Sequence, residues 1–147
     1  HNLLGKRIDR LKPALRAQGH TVWGSVDTAP ILERAWAAEA GHGFVGKNAM
    51  IITPGEGSWM LLGELFINAE LTPDPPITKD HCGRCTRCLV GCPTDAFLSA
   101  RTLDARRCIS YWTIEARGLP PRDQRPRSGD WLLGCDVCQE VCPHNHA

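Results

Sequence analysis

Leu4, Ile8, Leu11 and Leu15 recur at intervals of three or four residues, the spacing of one face of a helix, and Pro13 predicts a kink or an early end within it. "TVWGSV" (21–26) reads as a short strand. "ILERAWAAEAG" (31–41) reads as a second helix, its start marked by Asp27, Thr28 and Pro30 and its end by Gly41. "NAMIIT" and "SWMLLGELFI" flank the turn "PGEG" and predict a β-hairpin with a long loop. The order is helix, strand, helix, glycine loop, strand, strand. "LTPDPPITKD" (71–80) then breaks the pattern with three prolines and reads as a linker. Beyond it the hydrophobic signal thins and all eight cysteines appear, between residues 82 and 142. The pattern therefore predicts an α+β chain in two parts, 1–77 and 78–147.

Charge alters this picture little. The chain has 147 residues, with 17 Lys and Arg against 16 Asp and Glu, so no global field draws nucleic acid or membrane, and any such partner is met locally. No apolar run reaches the roughly 18 residues needed to cross a bilayer. The chain opens "HNLLGKRIDRL", without Met or a signal pattern, and stops at "CPHNHA" beside a cysteine motif, so it reads as a piece cut at both ends.

"GHGFVGKN" (41–48) satisfies the G-x-G-x-x-G pattern through Gly41, Gly43 and Gly46. A dinucleotide site needs those glycines to leave a strand and enter a helix, whose N-terminus holds the pyrophosphate. Here they leave a helix and enter a strand. The same stretch half fits a phosphate loop, yet Asn48 stands where a Mg-binding Ser or Thr is required. Sequence pattern alone leaves a helix cap and tight turns that use glycine's backbone freedom.

The cysteines are more specific. "CGRCTRCLVGCP" places Cys82, Cys85, Cys88 and Cys92 as C-x2-C-x2-C-x3-C-P, the run that wraps three thiolates round one 4Fe-4S cubane while the fourth reaches another. "CDVCQEVCP" supplies Cys135, Cys138 and Cys142, and Cys108 completes the eight thiolates that two clusters require. Crossed connectivity of the two-cluster ferredoxin kind groups Cys82, Cys85, Cys88 and Cys142 on one cluster and Cys92, Cys108, Cys135 and Cys138 on the other. Structural zinc prefers paired C-x-x-C knuckles, and disulfides between such close neighbours are strained, so both competing readings fit poorly. Lys79, Arg84, Arg87, Arg106 and Arg107 lie near the ligands in sequence and could moderate the clusters' negative charge, or simply be solvated. His81, His144 and His146 exceed the ligand count and read as bystanders.

"VDTAPILERAWAAEAGHGFVGKN", an apolar segment, "CGRCTRCLVGCPTDAF" and "GCDVCQEVCPHN" together resemble the epoxyqueuosine reductases, cobalamin-dependent iron-sulfur enzymes of tRNA queuosine synthesis. The resemblance covers nearly the whole chain. It implies part of a cobalamin-binding α/β domain over 1–77 followed by a bacterial-type two-cluster ferredoxin-like domain over 78–147. Family members carry more cobalamin domain at the N-terminus and often C-terminal helical repeats. The resemblance also puts the glycine loop beside the corrinoid, with Gly43, Gly46, Lys47 and Asn48 as cobalamin contacts, and makes His1 the last residue of an Asp-Tyr-His active-site stretch. The implied reaction removes the epoxide oxygen from epoxyqueuosine at the tRNA wobble position, giving queuosine and water at the expense of two electrons and two protons. A monomeric cytoplasmic enzyme, with no membrane attachment and a low-potential electron donor, follows from the same resemblance.

Within "VDTAP" the resemblance assigns proton donation to Asp27; the competing role is an N-cap of the second helix. Arg117, Arg122, Arg125 and Arg127 in "RGLPPRDQRPR" could touch the anticodon stem-loop or form a solvated charged loop. Two other functions fit parts of the chain: a plain two-cluster electron carrier, which leaves residues 20–50 without a purpose, and a corrinoid reductive dehalogenase, which shares the cluster module without the same "VDTAP" stretch.

Overall fold

A computed structural model describes residues 2–146; His1 and its predicted active-site role lie outside the described residues. The chain divides into two compact units, residues 1–43 with 60–77 and residues 44–59 with 78–147. This differs from a single cut at residue 77. Residues 44–59 belong with the cysteine segment because their strands pair with each other and their side chains bond to the cysteine loops.

In the first unit, α1 (Asn2–Ala17) runs through Pro13, and just past its end Gly19, with φ 88°, lets the chain turn away. It lies on a two-stranded antiparallel sheet of β1 (Val22–Ser25) and β4 (Glu64–Ile67), with Val22 opposite Ile67 and Ser25 opposite Glu64. Ile8 and Val22 are buried there. Two glycines permit the close approach of helix to sheet. A Cβ at Gly24 would stand 2.5 Å from Ile8 Cγ2, and one at Gly63 would stand 2.8 Å from Ile8 Cδ1. On the sheet, cross-strand partners Trp23 and Phe66 bring their ring centroids to 5.1 Å.

α2 (Glu33–Glu39) buries Ala37 and ends as the sequence pattern predicts: Gly41 has φ 74°, while Gly41 N–H donates to Ala38 O and His42 N–H to Ala37 O. Its start does not follow the prediction. The N-cap is Leu32, so Asp27 does not cap this helix; residues 27–32 form an irregular loop instead.

The predicted hairpin between "NAMIIT" and "SWMLLGELFI" goes no further than one antiparallel bridge, Thr53 to Gly57, across the "PGEG" turn. β3 (Ile51–Ile52) pairs antiparallel with β2 (Phe44–Val45) across a tight turn, closed by Gly46 N–H to Met50 O and Ala49 N–H to Gly46 O. The nearer partner closes the shorter loop. The second half of that predicted hairpin instead supplies β4, the partner of β1 in the other unit.

The second unit has only short elements: α3 (Arg87–Gly91), β5 (Phe97–Ser99) paired with β6 (Thr102–Leu103), a π-helical turn at Tyr111–Glu115, and α4 (Val137–Glu140). Its buried apolar residues are few, among them Phe44, Ile51, Ile52, Ala96 and Ile109. Polar contacts supplement them: Ser58 donates from its hydroxyl to Gln139 Oε1 (2.9 Å) and from its N–H to Asn145 Oδ1 (2.6 Å).

Candidate functional site

The two cysteine motifs build matching local structures. In each, cysteines precede and enter a short helix, and the last cysteine follows it just before a proline. Cys85 precedes α3, Cys88 lies in it and Cys92 caps it; Cys135 precedes α4, Cys138 lies in it and Cys142 follows. Thr86 and Asp136 hold the equivalent position before each helix, with carbonyls accepting from the N–H groups of Leu89 and Val90, and of Gln139 and Glu140. The helices pack at Gly91, where a Cβ would sit 3.5 Å from Val141.

All eight cysteines are free thiols. Burial raises the pKa of Cys88, and the thiols of Cys82 and Cys142 raise it further. Cys142 is raised by burial, opposed by a hydrogen bond from His144 N–H, with Cys82 and Cys85 adding to the rise. Burial also raises Cys135, against a hydrogen bond from Val137 N–H, and Cys108 and Cys92 act on it in turn. Cys138 is pushed up to about 12, first by burial, then by Cys135, Cys108, Cys88 and Cys92. Crowded thiols resist becoming thiolates when nothing offsets their charge, and bound iron reverses that preference.

Cys82, Cys85, Cys88 and Cys142 border a cavity of about 270 Å³. Lys47 and Asn48 reach the same place from the β2–β3 turn. Lys47 Nζ donates to Gly83 O (2.6 Å) and Cys85 O (2.9 Å), its backbone N–H points at Cys82 Sγ (3.4 Å), and Asn48 Nδ2 donates to Cys138 O (3.1 Å). A ring of partners closes behind them. Arg101 N–H donates to Lys47 O (3.0 Å), Arg101 Nη2 pairs with Asp80 Oδ2 (3.0 Å), and Asp80 Oδ1 accepts from Cys82 N–H (2.9 Å). The Arg101 guanidinium, then the Cys82 N–H, hold the Asp80 carboxyl below its ordinary range.

The loop residues that the resemblance assigns to cobalamin are also engaged within this unit. Lys47 Nζ commits two of its three N–H donors to the cysteine loops, and Asn48 Nδ2 one of its two. Gly43 and Gly46 are buried, and a Cβ at Gly46 would meet Ile52 Cδ1 at 2.4 Å, so the packing of this unit explains that glycine. Lys47 stands far in sequence from the motif it contacts, and Arg101 acts on it only through Lys47 and Asp80; sequence reading missed both roles. Of the charges it singled out, Arg87 lines the same cavity as the four cysteines, whereas Arg106 pairs with Asp104 (2.9 Å) and Arg107 donates to Asp95 O (3.2 Å). His81 and His144 flank Phe44, with ring centroids 5.0 and 5.5 Å from it.

Asp27 follows β1, exposed and with φ 61°, a left-handed backbone that costs a non-glycine residue free energy. Its N–H donates to Glu33 Oε1 (2.7 Å). Glu64 lies at the same end of the sheet, opposite Ser25; burial first, then the nearby Glu33 carboxylate, raise its pKa. Ser25 Oγ and Glu64 Oε2 are buried without a hydrogen-bond partner. In the arginine-rich loop, Arg127 pairs with Asp95 (2.7 Å) and Arg125 donates to Pro120 O (2.9 Å); all four arginines are exposed.

No helix among the described residues is long and apolar enough to cross a membrane. Residues 81–145 match the family described as 4Fe-4S double cluster binding domains. Over 99% of its length the chain is 46% identical to an epoxyqueuosine reductase of Pseudomonas aeruginosa, of which it covers 41%. It is 48% identical to one from Cyclobacterium marinum, of which it covers 47%. Its whole length aligns with an epoxyqueuosine reductase crystallised with an epoxyqueuosine-modified tRNA-Tyr stem loop, at TM-score 0.94 and 42% identity, covering 39% of that chain. A Bacillus subtilis epoxyqueuosine reductase, solved with its aspartate-bearing catalytic loop swung out of the active site, matches 99% of the chain at TM-score 0.89 and 41% identity, with 38% of that chain covered. The chain thus spans about two-fifths of the length of these relatives. By sequence and by fold it belongs to the epoxyqueuosine reductase family.

Proposed function

We propose that the protein containing this chain removes the epoxide oxygen from epoxyqueuosine in tRNA, forming queuosine and water with two electrons and two protons. The observation that carries this reading is the TM-score of 0.94, over the whole chain, to a reductase holding an epoxyqueuosine-modified stem loop. In this proposal Cys82, Cys85, Cys88 and Cys142 hold one 4Fe-4S cluster, and Cys92, Cys108, Cys135 and Cys138 hold the other. The four thiols around one cavity and the mutual influence of Cys135 with Cys92 and Cys108 support that grouping. The clusters pass electrons singly from a low-potential donor in the cytoplasm, and the enzyme works as a monomer. Cobalamin belongs to the proposal as a cofactor, with Gly43, Gly46, Lys47 and Asn48 as its candidate contacts.

Asp27 is our candidate for the proton donor. Opening the C–O bond leaves a developing alkoxide, and a carboxylic acid placed beside it supplies the proton. Exposure, a left-handed backbone after a strand, and no capping duty in α2 suit a residue held for chemistry, and the mobile catalytic aspartate loop of the Bacillus subtilis relative is a parallel. Arg117 and Arg122 are offered as phosphate contacts for the tRNA.

The test uses the complete protein, reconstituted anaerobically with iron, sulfide and cobalamin, and a stem loop carrying epoxyqueuosine, with nucleosides followed by mass spectrometry. Conversion to queuosine is expected; absence of product with reduced clusters and bound stem loop would sink the reading. Asp27→Asn should keep iron and stem-loop binding while losing turnover about a hundredfold or more. Near-normal turnover would remove Asp27 from the chemistry.

A further inference from the structure

The two cysteine groups do not have the same surroundings. At the Cys82–Cys85 loop an ammonium is fixed by two carbonyls, 2.6 and 2.9 Å away, and the peptide N–H of the same lysine faces Cys82 Sγ at 3.4 Å. Gly46 lets that peptide lie where it does, and the Arg101–Asp80 bridge ties the lysine carbonyl to the Cys82 N–H. In the other group, Cys92 Sγ accepts from the neutral N–H of Ala96 (3.3 Å), and the cations next to Cys108 in sequence are turned to Asp104 and to Asp95 O. A four-thiolate cubane gains one more negative charge on reduction. A nearby cation and a hydrogen bond to sulfur therefore favour the reduced state and raise the potential.

We propose that Lys47 is a tuning residue that raises the reduction potential of the cluster bound by Cys82, Cys85, Cys88 and Cys142 above that of its neighbour. The first electron taken up then rests on this cluster. Lys47 acts through the Cys82–Cys85 loop and touches no substrate, so its signature is a potential. The inference rests on the two-cluster grouping proposed above and adds an order of reduction to it.

The experiment is a potentiometric titration of the anaerobically reconstituted protein, followed by electron paramagnetic resonance, with iron measured on the same samples. The wild-type clusters should titrate in two separate steps. The Cys108→Ser variant, impaired in the second cluster, should retain the higher step. In Lys47→Met the reduced-to-oxidised ratio of that cluster, at a fixed potential, should fall about tenfold, equivalent to about 59 mV for one electron. Lys47→Arg should fall much less, and the second cluster should stay in place in both. If Lys47→Met loses iron, Lys47→Gln, which keeps an N–H donor without the charge, decides instead. Equal midpoints in the wild type, or an unmoved midpoint in the uncharged variant, would overturn the proposal. Iron near four atoms per wild-type chain would overturn the two-cluster reading itself, a separate failure.

Discussion

In the first unit a 16-residue helix lies on a pair of four-residue strands, and the contact is close enough to require glycine at positions 24 and 63. In the second unit no described helix or strand exceeds five residues, buried apolar side chains are scattered, and eight free thiols are present, four of them around one cavity. Elements that short cannot nucleate or persist by backbone hydrogen bonding alone. A helix-on-sheet contact stabilises the one, whereas the second needs cross-links, which iron and sulfide supply.

The largest effect should separate the units outright. Chelating the iron should abolish amide-exchange protection over residues 78–146 while α1, β1 and β4 keep theirs, as read by hydrogen exchange with mass spectrometry. Equal loss in both units would break the comparison. Cys108→Ser should be milder, removing one cluster's share of about eight irons per chain and leaving the other. An unchanged iron content would exclude Cys108 as a ligand. Paired glycine variants then sharpen the contrast. Gly24→Ala drives a Cβ against Ile8 and Lys12, Gly46→Ala drives one against Ile52 and Asn48, and each should cost about 1–3 kcal/mol. Only Gly46→Ala should weaken iron retention, since Gly24 packs solely within the first unit.

The smallest effect concerns pH. Glu64 has a raised pKa in the folded chain, so its contribution to stability is full below the unfolded-state value and is lost as pH rises through the folded-state value. Glu64→Gln should flatten that part of the stability profile and give a gain near pH 7 of under about 1 kcal/mol after solvent screening. Melting curves on either side of the carboxylate range would show it. A steeper profile in the variant would mean that Glu64 is stabilised as a carboxylate.

Legibility in the sequence followed the range of the interactions. The helical spacing of Leu4, Ile8, Leu11 and Leu15, the strand at Val22–Ser25 and the cap at Gly41 are local matters, and all appear where the pattern puts them. The cysteine run is local too, and its match to a double cluster domain needs only spacing. Strand pairing is not local. β4 pairs with β1, about forty residues away, and α1 packs closely over Gly24 and Gly63 in that pair, a relation no local pattern carries. An N-cap is the competing role for Asp27, since Asp is favoured at helix starts, but four further residues, 28–31, intervene before Leu32 takes that place. Lys47 read as a cofactor contact by family resemblance; its partners Gly83 and Cys85 are 36 and 38 residues away, a relation that no periodicity carries.

The contact between α3 and α4 at Gly91 has a kinetic consequence. Cys88 on one short helix is close enough to act electrostatically on Cys138 on the other, so the two sulfur cages are neighbours across this packing seam. Electron tunnelling falls exponentially with edge-to-edge separation. With clusters held as proposed, the missing side chain at residue 91 would keep the cages close and so favour fast transfer between them, independently of the driving force. A bulky residue there would widen the seam and slow the crossing even with both potentials unchanged.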